Sequence, residues 1–247
     1  MKKEQLDQDL EYEFPYHYVP GFRRDFTQIY EWRWSKNYTS AIEFLISQIS
    51  KERNIGRLFD VGCGDGRLAR ELQEEFGSID VVGIDYSERA IGLAKAMSPD
   101  VKFFHLDIME KDFHLKCDAV TLVEVFEHIP VELCANFAIS VCNLLEKDAL
   151  LFLTVPHQNV EVSYKHFQHF NLEKLKFYFG EYFNFEDIKY IQKNPLYMKI
   201  ISKLLSNRLY IIKSSALNNA FYYIYKKYCF NASEAQCERI YLKLRKK

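Results

Sequence analysis

The chain has 247 residues, 48% of them hydrophobic and 27% charged, with a formal net charge of -1 at pH 7. That length and apolar content exclude a disordered chain and suit one globular domain with a sizeable core. No apolar run approaches the ~20 residues of a spanning helix, and the acidic N-terminus MKKEQLDQDLEYEF lacks the apolar centre of a secretion signal, so a soluble, cytoplasmic protein without a membrane span is expected.

Residues 1–36 are unusually aromatic, with Tyr12, Phe14, Tyr16, Tyr18, Phe22, Phe26, Tyr30, Trp32 and Trp34, and His17 among them. We read 1–54 as an aromatic flap followed by a helix over 37–53, whose Ile42, Leu45, Ile46 and Ile49 share one face. Strands and helices then alternate. Strands are expected at 57–61, 79–84, 101–106, 119–123, 149–155 and 184–192. Helices fall between them, one through Leu68, Leu72 and Phe76, one over 87–97 closed by Pro99, one begun by Pro130, and one over 172–180. Such alternation means an α/β fold, a parallel sheet with helices on both faces, and ligands at the carboxyl ends of the strands. The core is expected over 55–192. Residues 193–237 break the pattern as two or three amphipathic helices, a basic insertion placed as a wall of the substrate pocket. Residues 238–247 form the last strand, alternating apolar and charged side chains. Six cysteines, at 63, 117, 134, 142, 229 and 237, include no CxxC pair and read as reduced, mostly buried thiols.

Charge is distributed unevenly. From Lys189 to Lys247 there are thirteen Lys/Arg against Glu234 and Glu238, a local balance of +11 that leaves -12 on the rest. This asymmetry points either to an anionic partner, such as a phosphate, a nucleotide or RNA, or to solvated helix faces.

The most specific pattern is LFDVGCGDGRLA at 58–69, where Gly62, Gly64 and Gly66 follow a strand and open a helix. Glycines there permit an unusual turn and let a ligand approach bare backbone. Asp60 precedes the loop. Asp85 ends the second strand, where a carboxylate can take both hydroxyls of a ribose, and Asp107 ends the third, within reach of an adenine amine. The spacing is not the GxGxxG of nicotinamide-binding folds.

With these motifs the chain resembles the class I S-adenosylmethionine-dependent methyltransferases over roughly residues 55–190. The resemblance implies a Rossmann-like sheet of seven strands, the last antiparallel. It also implies S-adenosyl-L-methionine held by Asp60, Gly62, Cys63, Gly64, Asp85, Tyr86, Asp107, Ile108 and Glu124. After the fourth strand comes Glu124-Val-Phe-Glu127-His128-Ile-Pro130, and KHFQHFN later supplies His166 and His169. ExxEH with a distant histidine resembles the metal-dependent small-RNA and quinone-pathway O-methyltransferases. By that resemblance Glu124, Glu127, His128 and His166 would hold Mn²⁺ or Mg²⁺ and lower the pKa of an acceptor hydroxyl. The second loop is closer to that of general metabolite and sugar methyltransferases, in which His128 alone would act as base. Glu127, His128 and His166 are the candidate catalytic residues.

The expected reaction is O-methylation of a small anionic acceptor, a phosphate- or nucleotide-bearing sugar or a precursor of envelope polysaccharide. RNA 2′-O-methylation is the alternative, and a non-catalytic cofactor-binding scaffold a third, although the latter predicts a damaged cofactor loop. Oligomeric state is left open.

Overall fold

The computed structural model describes residues 3–18, 32–110, 113–207 and 209–247. Phe22, Phe26 and Tyr30 of the aromatic N-terminal run lie outside the described residues. Seven strands form one sheet in the order β3-β2-β1-β4-β5-β7-β6. They are β1 (Arg57–Val61), β2 (Asp80–Asp85), β3 (Lys102–His105), β4 (Cys117–Val123), β5 (Leu145–Pro156), β6 (Phe183–Ile191) and β7 (Arg239–Lys246). Pairing is parallel from β3 through β5, while β7 runs antiparallel between β5 and β6. The α/β class and the antiparallel last strand are as expected from the sequence.

Because side chains alternate across a strand, each central strand feeds two cores. Leu58, Val81, Ala119 and Phe152 point to one face, against α2 (Trp32–Ile49), α3 (Arg67–Glu75) and α4 (Glu88–Met97). Phe59, Val82, Val120 and Leu151 point to the other, against α5 (Cys134–Leu144) and α6 (Leu172–Phe179). Burial on both faces explains the continuous apolar runs that made these strands easy to find. On the second face the buried Phe126 ring stacks on Phe170 at 5.0 Å and meets Phe179 at 5.0 Å. Phe126→Ala should therefore lower unfolding free energy by about 3–5 kcal/mol in a denaturant titration; a loss below about 1 kcal/mol would show that this cluster does not anchor the loop after β4.

Some boundaries differ from expectation. The helix expected over 37–53 runs Trp32–Ile49, starting inside the aromatic run because Trp32 and Ser35 are buried on its inner face. Pro130 leads into a short turn over Val131–Leu133, and α5 starts only at Cys134. Strand β5 begins four residues early, at Leu145, with its pairing to β4 shifting between Cys117 and Ala119. Polar Glu146, Lys147 and Asp148 hide that start.

The largest correction concerns the insertion. It folds as α7 (Leu196–Leu205) and α8 (Ser215–Tyr228), and no described residue of 193–237 lines either cavity at the carboxyl ends of the strands. It packs instead behind α2, where Met198, Leu205, Tyr222 and Tyr225 join the core. The Tyr225 hydroxyl donates to Asn37 Oδ1 at 3.1 Å, so the insertion braces the pocket from behind rather than forming its wall. The N-terminal α1 (Lys3–Leu10) and the turns at Glu11–Glu13 and Tyr16–Tyr18 do cover the carboxyl edge, as a flap should.

Much of the charge asymmetry is settled inside the molecule. Lys226 pairs with Glu43, Arg239 with Glu124, Lys243 with Glu52 and Glu186, and Arg245 with Glu186. These C-terminal cations meet acids from the other part of the chain.

Candidate active site

Strand order reverses between β1 and β4, because the chain leaves β3 at the edge and returns beside β1. Ligands in such sheets bind outside the carboxyl ends at that crossing, and two adjoining cavities of about 420 and about 100 Å³ lie there.

The glycine loop forms their common floor. Gly62 and Gly64 have φ of 72° and 55°, and a Cβ on Gly62 would come within 2.4 Å of Val125 Cγ2. A Cβ on Gly64 would meet the Tyr12 hydroxyl at 2.6 Å. Asp85 pins the loop, accepting from Gly64 N–H and Ser87 N–H at 2.9 Å each. Cys63 contributes backbone alone, since its thiol packs on Gly83. Asp85, Tyr86, Asp107 and Ile108 all line the smaller cavity. Asp107 Oδ1 accepts from Met109 N–H at 2.9 Å, holding the side chain in a local turn.

Asp60 lines the larger cavity. Thr121 donates to its Oδ1 at 2.8 Å, while Oδ2 is buried without a partner. Burial raises this carboxyl to about 7, against the Thr121 hydrogen bond. A buried acceptor left open toward a cavity suits a cationic group on a ligand, such as an amino-acid ammonium.

The second half of the larger cavity is built by the loops after β4 and β5. Glu124 follows β4 with φ of 54°, a left-handed conformation that disfavours residues with a Cβ. Arg239 Nε donates to its Oε2 at 2.7 Å and Thr154 to its Oε1 at 3.1 Å, and these contacts offset the strain. Glu127 is buried, and neither carboxylate oxygen has a hydrogen-bond partner among the described residues. Burial, then repulsion from Glu124, pushes its carboxyl well above the usual range.

Two imidazoles face that carboxyl. His128 Nδ1 lies 3.0 Å from the Lys165 carbonyl, which can only accept, so Nδ1 carries the proton and Nε2 keeps its lone pair. His169 Nδ1 likewise donates to the Val160 carbonyl at 2.8 Å, leaving its Nε2 to accept from His166 Nδ1 at 2.8 Å. The chain of donors again leaves a lone pair on His166 Nε2. Burial holds His128 at about 4, and burial with repulsion from His128 and His169 holds His166 at about 2, so both are neutral. Donor atoms of Glu127, His128 and His166 lie within 4.8 Å of one another, close enough to converge on one cation. Neutral imidazoles oriented through Nδ1, beside a carboxylate with nothing else to bind, form a donor set that fits a divalent metal.

Glu124 departs from the expected metal quartet. It is outside the converging group because Arg239 and Thr154 hold its carboxylate. His169, equally available in KHFQHFN, backs His166 rather than joining it. The sequence reading also missed Arg239, Lys165, Trp34, Tyr38 and Tyr12, all on the larger cavity. Trp34 and Tyr38 stack at 5.2 Å and 5° on α2, and their i, i+4 spacing was the one available signal.

A seven-stranded Rossmann-like sheet with a glycine loop and acids at successive strand ends defines the class I methyltransferase architecture. The methyltransferase domain family matches residues 33–193, and the chain belongs to it. Among curated proteins, the ubiquinone biosynthesis O-methyltransferase of Neisseria meningitidis serogroup C is 31% identical over 123 residues, 44% of this chain and 48% of that protein. That of Dechloromonas aromatica is 29% identical over 110 residues, 42% of this chain and 45% of the relative. The matched region thus spans about half the length of these relatives. Magnesium protoporphyrin IX methyltransferase from Synechocystis PCC 6803, solved with S-adenosylhomocysteine, superposes with a TM-score of 0.66 at 13% identity over 100% of both chains. The N-methyltransferase NodS from Bradyrhizobium japonicum superposes at 0.61 with 12% identity, over 98% of this chain and 97% of that one. At such identities the superpositions speak for fold alone.

Proposed function

We propose that the protein transfers the methyl group of S-adenosylmethionine to an oxygen of a small acceptor with vicinal oxygens, with a divalent cation, Mn²⁺ or Mg²⁺, at Glu127, His128 and His166. The observation that carries this reading is the buried Glu127 carboxyl, which has no hydrogen-bond partner among the described residues and faces two fixed imidazole lone pairs. When bound, the cation would supply Lewis-acid stabilisation of the developing acceptor oxyanion. Burial makes His128, at about 4, a poor base for a hydroxyl near neutrality, which weighs against the cation-free alternative.

The chain's own residues position the reactants. Asp85, Tyr86, Asp107 and Ile108 would hold the adenosine and Asp60 the methionine ammonium, with Gly62 and Gly64 leaving bare backbone beside the methionine end. Arg239 neutralises Glu124 and keeps it off the cation, leaving Glu124 as part of the cofactor floor. The parallel Trp34 and Tyr38 rings give a flat wall for a planar acceptor. The relatives' description as O-methyltransferases agrees with oxygen as the acceptor atom.

A phosphate- or nucleotide-bearing sugar acceptor keeps less support. Its first motive, a basic wall from the insertion, is gone, and Arg33, Lys165 and Arg239 on the cavity are paired with Glu238, Glu11 and Glu124. RNA loses support for the same reason.

The test is a Mn²⁺ titration by calorimetry on protein saturated with S-adenosylhomocysteine. Binding near one ion per chain, lost in Glu127→Ala and in His166→Ala, is expected; no saturable binding in the wild type would overturn the proposal. The pH dependence follows from the displaced Glu127 proton. A raised carboxyl pKa makes the ion-free group harder to ionise, so apparent affinity should rise with pH, by about tenfold per pH unit below that pKa. His128 and His166, neutral down to about 4 and about 2, add no slope near neutrality. A titration that is flat from mildly acidic to neutral pH would remove Glu127 from the ligand set.

A further inference from the structure

Residues 193–233 hold seven Lys/Arg and no Asp or Glu. Unlike the cations of β7, most of these are unmatched: among the described residues Lys193, Lys199, Lys203, Lys213 and Lys227 form no ion pair. The same stretch exposes large apolar side chains. On α7, Met198, Ile201 and Leu205 pack inward against the core, yet the opposite stripe is also apolar, with Leu196, Ile200 and Leu204 at 73%, 51% and 57% exposure. Leu209, in the turn that follows, is 91% exposed, and Tyr223 on α8 is 62% exposed. A helix apolar on both sides is normally buried on both sides.

We propose that this face is a membrane-surface site that lies on an anionic lipid bilayer. Leucines and isoleucine entering the headgroup region, with lysines flanking them at the phosphates, are the features of an interfacial amphipathic helix. No helix here is long and apolar enough to cross a membrane, so attachment would be parallel to the surface. A second copy of the chain is a poorer occupant, because two such faces would bring unpaired lysines against one another. RNA needs the cations but gives no reason to expose Leu196, Leu204 and Leu209. No described residue of this face lines either cavity, so this inference stands whatever the acceptor proves to be.

Vesicle flotation of the full chain tests it. Retention on phosphatidylcholine–phosphatidylglycerol vesicles, falling with added salt, and little retention on phosphatidylcholine alone are expected. Lys199→Gln with Lys203→Gln should weaken partitioning about 30-fold, and Leu204→Ser with Leu209→Ser more than about tenfold. Both pairs of changes lie on exposed positions and should leave melting temperature and S-adenosylhomocysteine affinity unchanged. No retention on anionic vesicles would overturn the proposal. So would a dimer in sedimentation velocity that Leu204→Ser dissolves, or a short RNA bound through Lys199 and Lys203 in place of lipid.

Discussion

Glu127→Gln is expected to abolish cation binding and to lower kcat by about a thousandfold, while affinity for S-adenosylhomocysteine changes by less than about twofold. The amide has the size of the acid it replaces. In the ion-free protein burial already disfavours the charged form of that acid, so the change takes little charge from the fold and the melting temperature without cation should hardly move. The variant therefore separates chemistry from folding. His166→Ala should give a similar loss of kcat, since His169 beyond it is turned toward the Val160 carbonyl and does not substitute. Wild-type turnover in Glu127→Gln would show that the cluster only shapes the pocket.

The second large effect is expected at Asp85. Its two oxygens accept from the Gly64 and Ser87 amides, so the carboxylate organises the glycine loop from below while lining the smaller cavity. Asp85→Ala leaves two buried N–H groups unpaired, at about 1–3 kcal/mol each, and removes the proposed ribose contact. Affinity for S-adenosylhomocysteine should fall by at least about a hundredfold, with a loss of unfolding free energy of about 2–4 kcal/mol. Asp85→Asn keeps one acceptor oxygen and should fall between. Calorimetry and denaturant titration read the two effects separately, and an alanine variant that binds cofactor normally would place the ribose elsewhere.

The glycine loop and the acids beside it, which line the cavities, were legible in the chain because each of their signals is local. Gly62 and Gly64 adopt left-handed conformations that favour glycine, and Asp85 ends β2 and Asp107 follows β3, strands whose apolar runs are visible over a few residues. The ExxEH run was legible for the same reason. The second histidine came only through the resemblance, which named His166: it and His169 look equivalent in KHFQHFN, and the carbonyls of Lys165 and Val160 decide which nitrogen is protonated and which ring faces Glu127.

What the sequence by itself determined was the α/β class, the glycine loop with its three acids and the family these imply, since apolar periodicity and backbone demands act over a turn or a strand. Tertiary structure decided which charges cancel and which remain. Arg239 and Glu124 are 115 residues apart, and their pairing removes a presumed ligand from the cation site. Lys226, Lys243 and Arg245 likewise meet acids from distant segments, while the lysines of α7 meet none among the described residues. A charge acts over a few ångströms in space, and in a mixed sheet that neighbourhood is drawn from strands and helices far apart in the chain.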